Sequence, residues 1–370
     1  METLFDQIKG FCLSHGFDLV AGIRPSNYQH FDIFQRWVQS GKNADMHYLS
    51  SERSMRLRRS PYEIMPTCRT ILVLVKRYSP AVEQSSKELA LASYAFGDDY
   101  HFTIPPLLEK IVKFIREQGK SNLVAKAFTD TAAVLERELA CQAGLGWIGK
   151  NSCLINPEIG SFFLLSEIFL DIDVLDEAIM PSPLPDRCGT CQRCIENCPT
   201  QCIQEDRTLD ASRCISYLTI ENKGPIPHEL RSKIGNHFFG CDVCQQVCPW
   251  NQSHLDPAVD IQIPISIQEI RSRVLDENEF LRFFKNSALK RPSRAGIYRN
   301  LAVTLGNIRD ESDLKLLNQL LCDGDPLVRN HAAWALGQFD LPKSTAMLNS
   351  ALEHESNPEV RSVINSVLES

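Results

Sequence analysis

CGTCQRCIENCP (188–199) and CDVCQQVCP (241–249), with a lone Cys214 between them, decide the architecture of this chain. The first run has the spacing C-x2-C-x2-C-x3-C-P. Bacterial two-cluster ferredoxins hold [4Fe–4S] centres with this spacing, the fourth Cys of the run serving the other cluster. A cubane needs four thiolates around one centre. Short two-residue loops wrap three of them, a distant Cys closes the fourth corner, and the Pro after the last Cys turns the chain away. On this spacing Cys188, Cys191, Cys194 and Cys248 form one quartet, and Cys198, Cys214, Cys241 and Cys244 the other. Zinc also takes C-x2-C pairs and stands as the alternative, although it asks for four ligands rather than a run of four followed by Pro. A disulfide framework would need an oxidising compartment. Cys202 fits neither quartet and reads as a spare thiol near a cluster. Cys12, Cys68, Cys141, Cys153 and Cys322 are scattered and read as buried small hydrophobes.

At 370 residues the chain has room for two or three domains. Its net charge of −7 argues against indiscriminate nucleic-acid binding. A local basic face is still expected, because 281–300 carries Arg282, Lys285, Lys290, Arg291, Arg294 and Arg299 and no acidic residue. The opening METLFDQIKGFCLSHGF lacks a basic segment followed by a long apolar run, so no export signal is expected. FFLLSEIFL (162–170) is too short for a bilayer and carries Ser166 and Glu167. These features lead to the expectation of a cytoplasmic protein without a membrane partner.

The fold class expected is α+β multidomain. Residues 1–180 read as an α/β domain. Leu4, Phe5, Ile8, Phe11 and Cys12 have helical spacing, and TILVLVKRY (70–78) is a buried strand. PPLLEKIVKFIREQG (105–119) and TDTAAVLERELACQAG (129–144) read as helices, and GSFFLLSEIFLDIDV (160–174) as strand-like. PSPLPDR (181–187) links to a ferredoxin-like domain with two [4Fe–4S] clusters, ending near 252. A turn-rich connection (253–268) leads into helices only, to 370. There DPLVRNHAAWALGQF (325–339) has Asp325 as cap, Pro326 at the first helical position, and a stripe of Val328, Ala332, Ala335 and Leu336. The pattern recurs loosely in RNLAVTLGNI (299–308) and NPEVRSVINSVL (357–368), which marks HEAT-like repeats.

GLGWIGKN (144–151) imitates both G-x-G-x-x-G and a P-loop. Each of those needs a strand before the glycines and a helix after them. Here a helix precedes, and Asn151 replaces the hydroxyl that a P-loop puts on Mg2+. The dense glycines still require close backbone approach, to another element or to a flat cofactor. His47, His101, His228, His237 and His331 form no metal pattern and read as capped or hydrogen-bonded surface side chains.

TDTAAVLERELACQAGLGWIGKNSCLIN (129–156), the cysteine run with its Thr200, RCISYLTIENKGPIP (213–227) and GCDVCQQVCPWN (240–251) together resemble the epoxyqueuosine reductase family. ASYAFGDDYH (92–101) and KRPSRAGIYRNLAVTLGN (290–307) fit as well, so the resemblance runs through nearly the whole chain. It implies a cobalamin-dependent oxidoreductase that acts on tRNA bearing epoxyqueuosine at the wobble position. It also implies a corrinoid-binding domain at 1–180, similar to that of reductive dehalogenases, and an external electron donor for the two clusters. A monomer is expected. The family's proton donor falls on Asp130; on the residues alone, Asp130 also reads as a helix N-cap. Ala133 stands where the family usually has Pro. Arg58 is carried over as a corrin contact with Arg56 as its rival, and Leu154, Leu165, Ser216 and Asp242 follow by analogy. Lys290, Arg291, Arg294 and Arg299 are the candidate tRNA phosphate contacts, set against an ordinary solvated helix face. Two other readings remain open: an electron-transfer iron–sulfur module, and a corrinoid reductase of a small molecule.

Overall fold

Ile71 to Val75 are all fully buried, and their side chains alternate between two cores. The structure, a computed structural model, describes residues 2–80, 85–176, 181–252, 267–272 and 274–369. Much of the 253–268 connection therefore lies outside the described residues. The Thr70–Arg77 strand sits inside a four-stranded antiparallel sheet, in the order Leu19–Ile23, Thr70–Arg77, Phe163–Leu170, Ala125–Phe128. Leu72, Leu74, Ile168 and Leu170 face the helices Leu4–Ser14 and Pro105–Glu117. Ile71, Val73, Val75 and Phe169 face the opposite way, toward Leu139 and Ala140 of the Glu136–Gln142 helix. A sheet covered on both faces reads as a continuous apolar run, which accounts for TILVLV. Glu167 breaks this pattern. It is fully buried, in register with Val73 on one side and Phe128 on the other.

The helix expected over 129–144 forms only from Glu136 to Gln142. Asp130 takes φ +50°, in the left-handed region that a right-handed helix excludes. The segment 129–135 consequently runs as turns, and Asp130 is not a helix cap. GLGWIGKN opens a small antiparallel hairpin, Trp147–Ile148 with Leu154–Ile155, with no helix after it. A Cβ on Gly146 would stand 2.4 Å from the Ile155 carbonyl oxygen, so the close approach is to the hairpin's own second strand.

In the cysteine-rich part, the short helix Arg193–Glu196 follows the Cys188–Cys191 loop, Val243–Gln246 starts inside the Cys241–Cys244 loop and contains Cys244, and Ile215–Ile220 follows Cys214. The Ala90–Leu91 strand pairs in parallel with His237–Phe239, so the first half of the chain reaches into this part. The helical part holds Ser293–Ile308, Leu314–Leu321, Pro326–Leu336, Pro342–His354 and Pro358–Leu368. Asp325 caps its helix through the Leu327 N–H, with Pro326 in the first turn. A Cβ on Gly306 would meet Ala335 Cα at 2.8 Å, and this closeness packs one repeat onto the next. One apolar core runs from Leu218 and Phe238 through Leu301 to Ala332 and Ile364, joining the cysteine-rich and helical parts.

Candidate active site and cluster sites

A cavity of about 1730 Å³ opens where the three parts meet. That exceeds the roughly 300–1,000 Å³ usual for small-molecule pockets. Its wall draws Phe34 and Arg58 from the N-terminal part, Asp130 and Glu136 from the segment before and into the short helix, and Lys290 and Arg291 from the entry to the helical repeats.

Asp130 projects into this space with its side chain 67% exposed. Tyr100 O–H donates to its Oδ2 at 2.6 Å. His101 Nδ1 donates to Asp99 Oδ1 at 2.8 Å, which leaves Nε2 facing Asp130 Oδ2 at 3.9 Å. His101 is therefore part of the site rather than an ordinary surface histidine. Burial, reinforced by the Asp130 charge, pushes the Tyr100 phenol well up, so it remains a donor. The Asp99 N–H donates to the Asn286 carbonyl, anchoring the Asp99–Tyr100–His101 turn to the helical part. The Asp130 N–H donates to Glu136 Oε1 at 2.8 Å.

Among the expected corrin contacts, Arg58 lines the cavity. Its Nη1 donates to Ser54 Oγ, its guanidinium lies 5.5 Å from the Phe34 ring centre, and burial lowers its pKa. Arg56 does not line the cavity and pairs at the surface with Glu63. Leu154, Leu165, Ser216 and Asp242 are not in the wall either. Leu154 and Leu165 pack in the sheet's core, and buried Asp242 accepts from the Ser93 N–H and hydroxyl at 2.6 Å each. Trp147 is in the wall, and its buried indole N–H has no acceptor among the described residues.

The cysteines fall into two groups. Cys194 has its thiol pushed up to about 11 by burial and by Cys188, Cys248 and Cys191 around it. Cys241, raised by burial, neighbours Cys214 and Cys198, and Cys244 neighbours Cys241 and Cys214. Cys202 Sγ lies 3.5 Å from Cys198 Sγ. Cys153 is not a bland core residue, because its thiol meets Cys244. Lys150, the false P-loop lysine, donates to the carbonyls of Gly189 and Cys191 at 2.8 and 2.9 Å and so braces the first cysteine loop. Trp147 packs against Cys248, between the first cysteine group and the cavity.

The four basic candidates divide in two. Lys290 lies at the cavity edge, its Nζ 4.3 Å from the Phe102 ring centre, and Arg291 is exposed beside Glu221 at 3.0 Å. Arg294 is spent in a bidentate pair with buried Asp323 (3.1 and 2.5 Å). Arg299 is fully buried. It donates to the carbonyls of Leu218, Asn222 and Gly224 at 2.7–2.8 Å, so it cannot meet a phosphate. The 281–300 stretch is thus half surface and half core. Composition does not show this, because a buried Arg needs acceptors that come from 75 to 81 residues away.

Sequence reasoning passed over Tyr100, Glu136 and Glu167 as individual site residues; the first lies in the quoted GDDYH stretch, and Glu167 was visible as a charge inside an apolar strand. Among the described residues no helix is long and apolar enough to cross a membrane.

The family model described as "Epoxyqueuosine reductase QueG, DUF1730" matches residues 58–131, a 4Fe-4S double cluster binding domain matches 187–251, and HEAT repeats match 287–369. An epoxyqueuosine reductase of Alicycliphilus denitrificans is 36% identical over 364 residues, covering 91% of this chain and 98% of that protein. The Escherichia coli epoxyqueuosine reductase is 36% identical over 350 residues, covering 91% and 90%. A crystal structure of epoxyqueuosine reductase with an epoxyqueuosine-modified tRNA-Tyr stem loop superposes with a TM-score of 0.85 at 27% identity, over 99% of this chain and 98% of that one. A Bacillus subtilis epoxyqueuosine reductase, with its catalytic aspartate loop swung out of the active site, gives 0.84 at 26% identity, over 99% and 98%. By its sequence relatives and its fold, this chain belongs to the epoxyqueuosine reductase family.

Proposed function

We infer that this chain reduces the epoxide of epoxyqueuosine in tRNA to the alkene of queuosine. The observation that carries this reading is Asp130, held by Tyr100 and faced by His101, in a cavity whose wall includes Lys290, Arg291 and Trp147, the last of these packed on Cys248. The reaction takes two electrons and two protons and releases water. The Cys188/Cys191/Cys194/Cys248 and Cys198/Cys214/Cys241/Cys244 groups hold one [4Fe–4S] cluster each and relay electrons from an external donor.

Asp130 supplies a proton to the departing epoxide oxygen as general acid. As that proton leaves, carboxylate charge develops at Oδ2, where the Tyr100 O–H is already in place. A donor set before the charge appears stabilises the transition state more than the ground state. Asp99 fixes the His101 ring and its tautomer. The Asp130 loop is the counterpart of the loop that swings in the B. subtilis relative.

The cavity residues fit a large corrinoid: aromatic walls at Phe34 and Phe128, cationic Arg58, and the unpartnered Trp147 N–H for a peripheral carbonyl. Cobalamin bound there supplies low-valent cobalt that accumulates electrons delivered singly. In this division 1–180 holds the corrinoid, 181–252 the clusters, and 253–370 contributes to tRNA binding, the chain acting as a cytoplasmic monomer.

Lys290 and Arg291 contact the phosphates of the anticodon arm and position it, while the modified base enters the cavity out of its loop stack. Reversing both charges to Glu is expected to weaken tRNA binding and to lower the slope of log affinity against log salt by about 0.7–0.9 for each phosphate that is no longer neutralised. Filter binding across salt concentrations measures this, and an unchanged slope returns both residues to a solvated face. The reaction itself is tested by anaerobic incubation of the cluster-loaded protein with cobalamin, a strong reductant and tRNA carrying epoxyqueuosine. Mass spectrometry of the digested nucleosides should show loss of one oxygen, dependent on cobalamin. No loss from protein with intact clusters favours an electron-transfer module or a small-molecule corrinoid reductase.

A further inference from the structure

Glu167 is fully buried at the middle of the sheet, and among the described residues no donor reaches either of its carboxyl oxygens. An ionised carboxylate in that position would be severely penalised, so Glu167 is neutral and has one O–H to give. It lies on the sheet face that carries Leu165 and Phe169, which the Glu136–Gln142 helix covers, and the Glu136 carboxyl is an acidic neighbour there. Glu136 in turn accepts the Asp130 N–H at 2.8 Å. Asp130 has φ +50°, a conformation that costs a non-glycine residue free energy and persists only when its surroundings hold it.

We propose that Glu167 and Glu136 share one proton and together latch the Asp130 loop in the cavity. The Glu167 O–H donates to the Glu136 carboxylate, and that carboxylate holds the Asp130 N–H. Glu136 and Glu167 are positioning residues; they act through Asp130. This assignment rests on the proposed role of Asp130, but the latch itself is measurable without turnover.

Burial, then the Asp130 charge, pushes the Glu136 carboxyl up to about 7, against the opposing pull of the Asp130 N–H, Arg137 and Arg58. Burial pushes Glu167 up well beyond the carboxylate range, with Glu136 and Asp130 adding to it, and the buried Tyr28 phenol is a further neighbour. The charged form of the latch therefore exists above about pH 7. As pH falls through that value Glu136 gains a proton and its bond to the Asp130 N–H loses its charge assistance. For folding the sign is opposite: a raised carboxyl pKa favours the folded chain at low pH, and that contribution falls between the free-carboxyl range and about 7.

Three measurements on the cluster- and cobalamin-loaded protein test this. In the infrared spectrum of the resting protein, the carbonyl stretch of a protonated carboxyl should disappear in Glu167→Gln, whose amide still donates to Glu136; an unchanged spectrum overturns the shared proton. Hydrogen exchange of the Asp130 amide should rise on the order of tenfold in Glu136→Ala, as loss of a charge-assisted bond implies, and should stay near wild type in Glu136→Gln, which keeps an acceptor. Equal exchange in all three overturns the latch. In turnover, Glu136→Ala should lose roughly 100-fold in kcat through misplacement of Asp130, with KM for tRNA unchanged. Glu136→Gln should recover most of that rate but lack the fall below pH 7. If wild type shows no turnover, the assigned reaction fails, while the infrared and exchange results still decide the latch.

Discussion

Asp130→Asn is expected to lose turnover by roughly 10²–10⁴-fold, the range that a general acid contributes, with cluster content, cobalamin binding and tRNA affinity unchanged. The substitution is well suited to isolate the proton. Asn is among the few residues that tolerate a left-handed φ, so the loop keeps its path at +50°. The amide oxygen still accepts from Tyr100, and the backbone N–H still reaches Glu136. Only the acidic proton is missing. Single-turnover reduction with excess reduced protein measures the chemical step directly. A rate within a few fold of wild type would move the proton to another group, and His101, 3.9 Å away, is the next candidate.

Arg299→Leu is expected to be among the most destabilising single substitutions in the chain. The guanidinium is fully buried and satisfies three carbonyls, at Leu218, Asn222 and Gly224. Leucine leaves those acceptors without donors in a water-free core, at about 1–3 kcal/mol each. Asn300, which accepts from Arg299 and donates to the Thr219 carbonyl, loses its orientation as well. Burial holds the Arg299 pKa down to about 10, still far above neutrality, so the charge is retained and needs these partners. The consequence reaches the cysteines. Leu218 and Thr219 belong to the helix that starts after Cys214, and the Thr219 hydroxyl accepts the N–H of Gly240, next to Cys241. Iron content should therefore fall together with the unfolding midpoint. Arg299→Lys should recover little, because an ammonium lacks the planar fork that reaches three carbonyls at once. Unchanged stability with weaker tRNA binding would restore Arg299 as a phosphate contact.

The two experiments separate what was visible in the sequence from what was not. The cysteine spacing, the Thr70–Arg77 strand and the Asp325–Pro326 helix start could be read directly, because each is governed by neighbours a few residues away. GLGWIGKN was correctly set aside as a nucleotide loop on the same local grounds. The helix expected over 129–144 fails in its first half because local propensity loses there to a left-handed Asp130 and its long-range partners. Arg294 and Arg299 look like surface cations beside Lys290 and Arg291, and only the partner carboxylate of Asp323 and the carbonyls of another segment reveal them as internal.

By itself the sequence determined the iron–sulfur character of the chain, its order of parts and its family resemblance, since ligand spacing and helix signals act along the chain. Tertiary structure alone decided that His101 joins Asp130, that Arg299 is a core clamp, and that Glu167 is fully buried inside the sheet. The physical reason is the same in each case. A charge or a proton takes its function from the dielectric and the partners around it, and those come from segments that only folding brings together.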